Sequence, residues 1–426
     1  LVGDLPIGDP HPLSFGTSAD SLLVTDVEYD PSNATHQAYK TASYVHVAPY
    51  PTHGAAGENV GAPVTVAGVT MTDGDYLAND ATAATKDQPA EGGYAYYKDG
   101  VLTLHDYRHV SAGTTADNEM DGGGMLDEYA STALIHTEYA LVLLLEGESY
   151  LENTNLEYGS LVTVEEGDLT VKGDGMLEGK SVMGLMARDN RLFVSDVTLK
   201  LYVLAQPYSD YSGRALAGYT GMEILNAKIE IECEGNDDLY ALETYDDLFM
   251  DGTTISCTSP DNAEAWAFLY AYDGAITNSE VTVTNMDVGI IGITYIADSK
   301  INMDVADRAL DGYGSGVTLM NCDLELKSDD CWFADDVSAI GCTLKGSCDG
   351  EVVSSGGDLT LINSDMEVAT EYFIYDYTKI TVSGGSLAVS SDSFACYGDD
   401  YDIITKNTDF IISYGASAGS LTVDEQ

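Results

Sequence analysis

Residues 296–304 read IADSKINMD, and residues 319–327 read LMNCDLELK. Each is a short apolar run, a single Asp or Asn, two more residues, then an apolar, polar, apolar alternation. A strand sends successive side chains to opposite faces, so each segment reads as two short strands meeting at a corner. Asp298 and Asn321 mark the corners. The same figure recurs from about residue 167 onward, with corners at Asp174, Asp196, Asn226, Gly252, Asn278, Asp298, Asn321, Gly341, Asn363, Gly384 and Asn407. Three positions past each corner stand Leu177, Leu199, Ile229, Ile255, Val281, Ile301, Leu324, Leu344, Met366, Leu387 and Phe410, all apolar. Asn, Asp and Gly are the residues that tolerate a left-handed backbone, which a sharp turn between sheets demands. A period near ~22 residues with such corners predicts an all-β right-handed parallel β-helix, each coil stacked on the last. A leucine-rich repeat is excluded by the lack of its LxxLxLxxN spacing and of helical stretches.

Working back toward the N-terminus, ALIHTEYALVLLL at 133–145 and SLVTVEEGDLTV at 160–171 read as two earlier rungs. VLTLHDY at 101–107 marks the expected start of the coil, giving eleven to fourteen rungs in all. Residues 1–90 hold most of the prolines (Pro6, Pro10, Pro12, Pro31, Pro49, Pro51, Pro63 and Pro89) and show no period. They read as an irregular arm or cap with a few strands, and residues 91–426 as the β-helix.

The run PVTVAGVTMTDGDYLAND at 63–80, followed by GGYAYYKDGVLTLHDY at 92–107, LLLEGESYLENTN at 143–155 and GDLTVKGDGMLEG at 167–179, resembles β-helical cell-surface domains of anaerobic bacteria that are often labelled carbohydrate-binding. The resemblance covers roughly 63–180. It implies secretion and display on a cell envelope, and it carries over no binding residue.

Composition narrows the partners. Seventeen Lys and Arg stand against 71 Asp and Glu, a net charge of −54 that repels nucleic acid and anionic membrane surfaces. With 44% hydrophobic residues at regular spacing, the acid coats a packed interior. The longest apolar stretch, 140–145, is far too short to span a bilayer, so no membrane insertion is expected. The chain opens at Leu1, as a product of signal-peptide removal does, and an extracellular or cell-surface location is expected. Asn33-Ala34-Thr35 is a glycosylation sequon.

Such a surface is tolerable in high salt or where divalent cations bridge neighbouring acids. Paired acids at Asp237 and Asp238, Asp246 and Asp247, Asp329 and Asp330, and Asp335 and Asp336 are candidate Ca²⁺ turns; Asp399 and Asp400 form a further pair. The alternative for each is a solvated turn. Among the seven cysteines, Cys322 and Cys342 each follow a corner and fall on adjacent rungs, as a disulfide or as stacked free thiols. Cys331, Cys348 and Cys396 lie near rung ends, placed for a second bridge or an interchain bond. His105, His109 and His136 are the closest histidine group, a weak metal pattern.

Catalytic constellations are not legible. Asn407-Thr408-Asp409 spells the NTD of a polygalacturonase-type site, but no Gly-His-Gly or Arg-x-Lys follows it. A lyase base would have to come from Arg188, Arg191, Arg214 or Arg308, and Arg214 and Arg308 read as surface partners of nearby acids. Tyrosine dominates the aromatics, 29 against 8 Phe and 2 Trp, and Tyr245, Tyr272, Tyr375, Tyr377, Tyr397 and Tyr401 recur near rung ends as an interface with protein or with sugar rings. Trp266 and Trp332 read as partly inward. The leading expectation is a non-enzymatic structural protein that self-assembles, copy upon copy, into a sheath, surface layer or filament. The alternative is an envelope-displayed glycan-binding or adhesive β-helix, and a polysaccharide lyase or hydrolase comes third.

Overall fold

The computed structural model describes residues 13–16, 22–24, 44–47, 62–115, 132–204, 213–235, 239–260, 265–334, 336–352, 357–374, 379–396, 402–406, 409–414 and 424–425. The chain divides into two units, Leu1–Ala55 and Ala56–Gln426. In the first, Leu13–Gly16 lies between Leu22–Val24 and Tyr44–Val47 in an antiparallel sheet. The second is a β-solenoid of about ten turns, with no helix among the described residues.

One coil shows the plan. Leu192–Ser195 runs to the corner at Asp196, Thr198–Leu204 leads away from it, and Arg214–Gly218 closes the turn before Met222–Leu225 opens the next coil. Each strand pairs in parallel with its equivalent one coil on, so every coil contributes to a first, a second and a third sheet. The apolar residues past the corners form one continuous stack on the second sheet, Leu177, Leu199, Ile229, Ile255, Val281, Ile301, Leu324, Leu344, Met366 and Leu387, each in register with the next. All are buried, and each removes an aliphatic side chain from water for roughly 1.5–3 kcal/mol.

The corners adopt the backbone that their residue types anticipate. Asp196, Asn226, Asn278, Asp298, Asn321 and Asn363 have φ between 49° and 56°, and Gly252, Gly341 and Gly384 lie at 61°, 68° and 76°. Asp174 departs from the expectation: the positive φ belongs to Gly173, at 125°, because this corner spans three residues, 173–175, between its strands. Asn407 lies outside the described residues.

From Asn278 to Gly341 the residue after the corner turns inward and its side chain closes a second ladder. The backbone N–H of Thr253 donates to Ser279 Oγ at 3.1 Å, that of Ser279 to Ser299 Oγ at 3.1 Å, that of Cys322 to Cys342 Sγ at 3.4 Å, and that of Cys342 to Ser364 Oγ at 3.0 Å. Ser279 and Ser299 each donate their own hydroxyl hydrogen to the carbonyl two residues back, at 2.7 Å. Cys322 and Cys342 therefore stand where serine stands on other coils. They are free thiols, the second of the two readings that their spacing left open. The disulfide joins Cys331 to Cys348, whose Cα atoms are 5.9 Å apart.

Parallel winding begins at Val101–His105, which pairs with Leu141–Glu146. Before it the chain is antiparallel: Val64–Val66 pairs with Val69–Met71 and with Thr132–Thr137, while Asp75–Ala78, Tyr94–Lys98 and Val101–His105 form a meander. The segment from residue 63 onward is thus an ordered closure of the first coil, short-stranded as protected edges are. The third sheet's separate strands run from Thr132–Thr137 to Asp330–Phe333, and beyond them the Trp332 N–H donates to the Val352 carbonyl at 3.1 Å while Glu351, Tyr372 and Phe394 pair in parallel. The turns number about ten, against the eleven to fourteen expected.

A β-branched side chain at a left-handed corner is strained by roughly 1–2 kcal/mol. Asn321→Val is expected to lower stability by about that amount and Asn321→Gly by a few tenths, as measured by denaturant titration followed by circular dichroism.

Candidate functional site

The outer face of the third sheet carries a dense grouping of aromatic and paired charged side chains. Its strands place two consecutive residues in the core, as with Ala215 and Leu216, Ala241 and Leu242, or Phe268 and Leu269. The flanking residues are therefore turned outward and held in register: Arg214, Tyr240, Ala267, Val288 and Arg308 in one line, and Ala217, Glu243, Tyr270, Ile291 and Asp311 in the other. Ala267, Val288 and Ile291 form an apolar cluster separate from the core, with Tyr240, Trp266 and Tyr270 against it. Trp266 thus packs on the outer cluster, whereas Trp332 is fully buried within the coil.

Six tyrosines make a continuous aromatic surface here. Tyr219 lies 5.6 Å from Tyr245, which meets Tyr270 at 6.1 Å and Tyr272 at 6.3 Å, while Tyr240 meets Tyr270 edge-on at 6.0 Å. Tyr272 and Tyr313 stack at 6.0 Å with planes 19° apart. The intervening coil turns at Gly292, where a Cβ would fall 1.9 Å from the Ala271 carbonyl oxygen, so no side chain separates the two rings. Tyr313 takes φ 49°, and its backbone N–H donates to Asp311 Oδ1 at 2.8 Å.

Beneath the rings lies a buried ion pair. Arg214 Nε contacts Glu243 Oε2, and both residues are almost wholly buried. Tyr245 donates its hydroxyl to Glu243 Oε1 at 2.9 Å, and the Arg214 guanidinium lies 6.0 Å over the Tyr240 ring. Burial works against the Arg214 charge, but Glu243 outweighs it and the guanidinium is held above its usual range. Burial likewise raises the Tyr245 and Tyr270 hydroxyls, so both stay protonated near neutral pH. Arg308 is paired with Asp311 at 2.6 Å and Asp307 at 3.3 Å. Further toward the N-terminal coils, Glu165 accepts from Arg188 Nη1 at 2.6 Å and lies 3.1 Å from His136 Nε2.

Of the expected interface tyrosines, Tyr245 and Tyr272 belong to this surface, and Tyr375, Tyr377, Tyr397 and Tyr401 lie outside the described residues. Arg214 is not the surface partner expected but a buried one. Among the acidic pairs, Asp237, Asp238, Asp335, Asp399 and Asp400 lie outside the described residues. Asp246 and Asp247 enter one coil of the first sheet, and Asp329 and Asp330 enter the third. Asp336 Oδ1 accepts the backbone N–H of Asp358 on the next coil at 2.9 Å, a strand-end cap. No group of three or more His, Cys, Asp or Glu is placed to hold a metal ion among the described residues, His105, His109 and His136 included. Glu243, Glu165 and Tyr219 are the residues that sequence reading missed. The signal for them is the third-sheet register, which places Glu243 opposite Ala217 and one coil from Arg214.

No protein family, curated protein or solved structure matches the chain.

Removing one member of a buried pair leaves the other charge without compensation, at a cost of about 3–5 kcal/mol. Glu243→Ala is expected to destabilise by that order, and the Arg214→Leu, Glu243→Leu double variant by far less, in a denaturant double-mutant cycle. At Glu165, burial pushes the carboxyl up, but His136 and Arg188 outweigh it and hold the pKa below the ordinary 4.5. Because the folded value is the lower one, its stabilisation is present above pH 4.5 and is lost as pH falls through the folded value. The acid limb of a melting-temperature profile should be shallower for Glu165→Gln than for the parent.

Proposed function

We propose that the chain is an extracellular β-solenoid, displayed on a cell envelope, that binds glycan chains along its tyrosine-lined flank. The observation that carries this is the exposure of Tyr272 and Tyr313, 52% and 55%, on rings fixed from behind by Tyr245 and Tyr270. A sugar ring offers an apolar face to stack on an aromatic and hydroxyls around its rim for carboxylates to accept from. Here the platform runs along the coil axis from Tyr219 to Tyr313, a shape suited to a linear chain rather than a compact ligand. Both nearby arginines are already paired with acids, and the net charge is −54, which favours neutral over acidic polysaccharides.

The Cys331–Cys348 disulfide supports an oxidising, extracellular setting. The resemblance of residues 63–180 to envelope β-helical domains labelled carbohydrate-binding points the same way. A structural protein that polymerises into a sheath, surface layer or filament is the second reading. It draws on the same patch, since Tyr and Arg are enriched at protein interfaces. A polysaccharide lyase or hydrolase is the least supported reading, because the buried Arg214–Glu243 pair is engaged beneath the rings.

A glycan array followed by titration calorimetry on the hits tests the proposal. Each exposed ring is worth about 0.5–1.5 kcal/mol, so Tyr272→Ala, Tyr313→Ala is expected to weaken binding roughly tenfold or more without moving the melting temperature. An array without hits, or hits indifferent to that variant, would reject the proposal.

A further inference from the structure

Among the described residues four free thiols are buried in the coil, and they fall into two kinds. Cys322 and Cys342 are engaged with the backbone: the Cys322 thiol donates to the Ile296 and Met320 carbonyls at 3.3 and 3.2 Å, and Cys342 Sγ accepts the Cys322 N–H. Cys233 and Cys257 meet only sulphur. Cys233 Sγ lies 3.9 Å from Cys257 Sγ, which lies 4.0 Å from Met286 Sδ, and neither thiol has a nitrogen or oxygen partner among the described residues. Strands Lys228–Glu234 and Thr254–Thr258 turn the two thiols inward on consecutive coils, and Met286 follows two residues after Glu280–Thr284 on the coil beyond. All three are at most 1% exposed. Ser259, two residues past Cys257 and level with Cys233 one coil on, is also buried, and its hydroxyl has no partner among the described residues.

We propose that Cys233, Cys257 and Met286 form a binding site for a soft monovalent cation of the Cu⁺ type. Three sulphurs held in a plane around an ion at ~2.3 Å stand ~4.0 Å apart, which is the spacing on both sides of Cys257. Thiolate and thioether donors select soft ions, whereas Ca²⁺ takes oxygens. Zn²⁺ fits less well, because its structural sites close with four ligands and three sulphurs gather here. Charge points the same way. The ion replaces one thiol proton, M⁺ + RSH giving RSM + H⁺, so the core gains no net charge, while the other thiol and the thioether coordinate as neutral donors. A disulfide is the competing fate of two neighbouring thiols, and the register opposes it. Cys257 pairs with Ile231, two residues before Cys233. Strands ~4.8 Å apart and an offset of two residues at ~3.3 Å each set the two Cα atoms roughly 8 Å apart, outside the ~4.4–6.8 Å that a disulfide spans. The pair is thus arranged to share an ion rather than a bond. A buried hydroxyl left unpartnered is costly, and Ser259 marks the same corner of the core as one that takes a ligand. The inference does not rest on glycan binding, since the sulphurs lie inside the coil and the tyrosines outside it.

The test titrates silver ion, a redox-inert stand-in for Cu⁺, into the full chain carrying Cys322→Ser, Cys342→Ser and Cys396→Ser. That background leaves Cys233 and Cys257 as the only cysteines outside the Cys331–Cys348 disulfide. Serine already serves at the positions of Cys322 and Cys342 on neighbouring coils, so the fold should be kept. Native mass spectrometry after a chelator wash is expected to show one bound ion, whether silver is added to the folded chain or is present during refolding. Met286→Leu, which conserves volume, is expected to weaken binding roughly tenfold or more at a nearly unchanged melting temperature. Cys233→Ala, Cys257→Ala should abolish it. X-ray absorption of the copper-loaded chain, prepared without oxygen, should show sulphur as the main neighbour. No bound ion in either arm, binding indifferent to Met286→Leu, or a mass two hydrogens short that reports a Cys233–Cys257 disulfide would overturn the inference. An ion that survives Cys233→Ala, Cys257→Ala is adventitious and would overturn it as well.

Discussion

Every coil must retrace the backbone path of the coil before it, because parallel strands at ~4.8 Å spacing can pair only in register. That constraint acts most strongly at the corner, where the chain changes sheet within two residues and one of them is left-handed. Asn, Asp and Gly meet it at Asp196 through Gly384. The following residue is then forced inward with its N–H pointing along the axis, away from either sheet's ladder. A buried N–H without a partner costs about 1–3 kcal/mol, and at Ala227, Thr253, Ser279, Cys322 and Cys342 a Ser, Thr or Cys side chain of the next coil removes that cost. Corner conformation and inner hydroxyl ladder are thus one device, in which a thiol can replace a hydroxyl because both accept at the same place.

Once the inside is fixed by this repetition, the outside is free to vary, and the three faces diverge. The second sheet takes alternating charge. The first gathers its acids at the strand starts, at Asp247, Asp273, Asp336 and Asp358. The third, whose strands turn two adjacent residues inward, has room outside for side chains as large as Tyr270 and Arg214 in line with Ala217 and Ala267. The net charge of −54 is therefore distributed unevenly over the surface.

The corners and the stack past them were legible because both recur at nearly one period and because the residue types carry their own backbone preference. Asp174 misled because Gly173 and Gly175 flank it and the glycine took the strained position. Cys322 and Cys342 were correctly placed on adjacent coils, but a corner position says nothing about whether the side chain is needed as an acceptor, and Ser299 and Ser364 show that it is. Beyond its first two strands, within 133–145 and 160–171, the third sheet was legible only through tyrosines such as Tyr245 and Tyr272 near the rung ends. From Leu204 to Arg214, Glu234 to Tyr240 and Thr284 to Val288 the connections differ in length, so no fixed spacing links Arg214 to Glu243 in the sequence. The N-terminal closure was hidden for a different reason, since antiparallel strands share no period with the coils they cap.

The Arg214–Glu243 pair shows how those two levels meet. Burying both charges gains little stability over an apolar pair of similar volume, since desolvation offsets most of their attraction. What an apolar pair would not supply is direction. Glu243 accepts the Tyr245 hydroxyl, and Arg214 sits over Tyr240, so the two tyrosines nearest the centre of the patch are held at defined angles. Tyr270 packs edge-on against both, and Tyr272 and Tyr313 rest on Tyr270 in turn. The orientation of the exposed rings is therefore set by a buried charge pair, and the Arg214→Leu, Glu243→Leu variant separates the roles: it should keep the fold while loosening the platform.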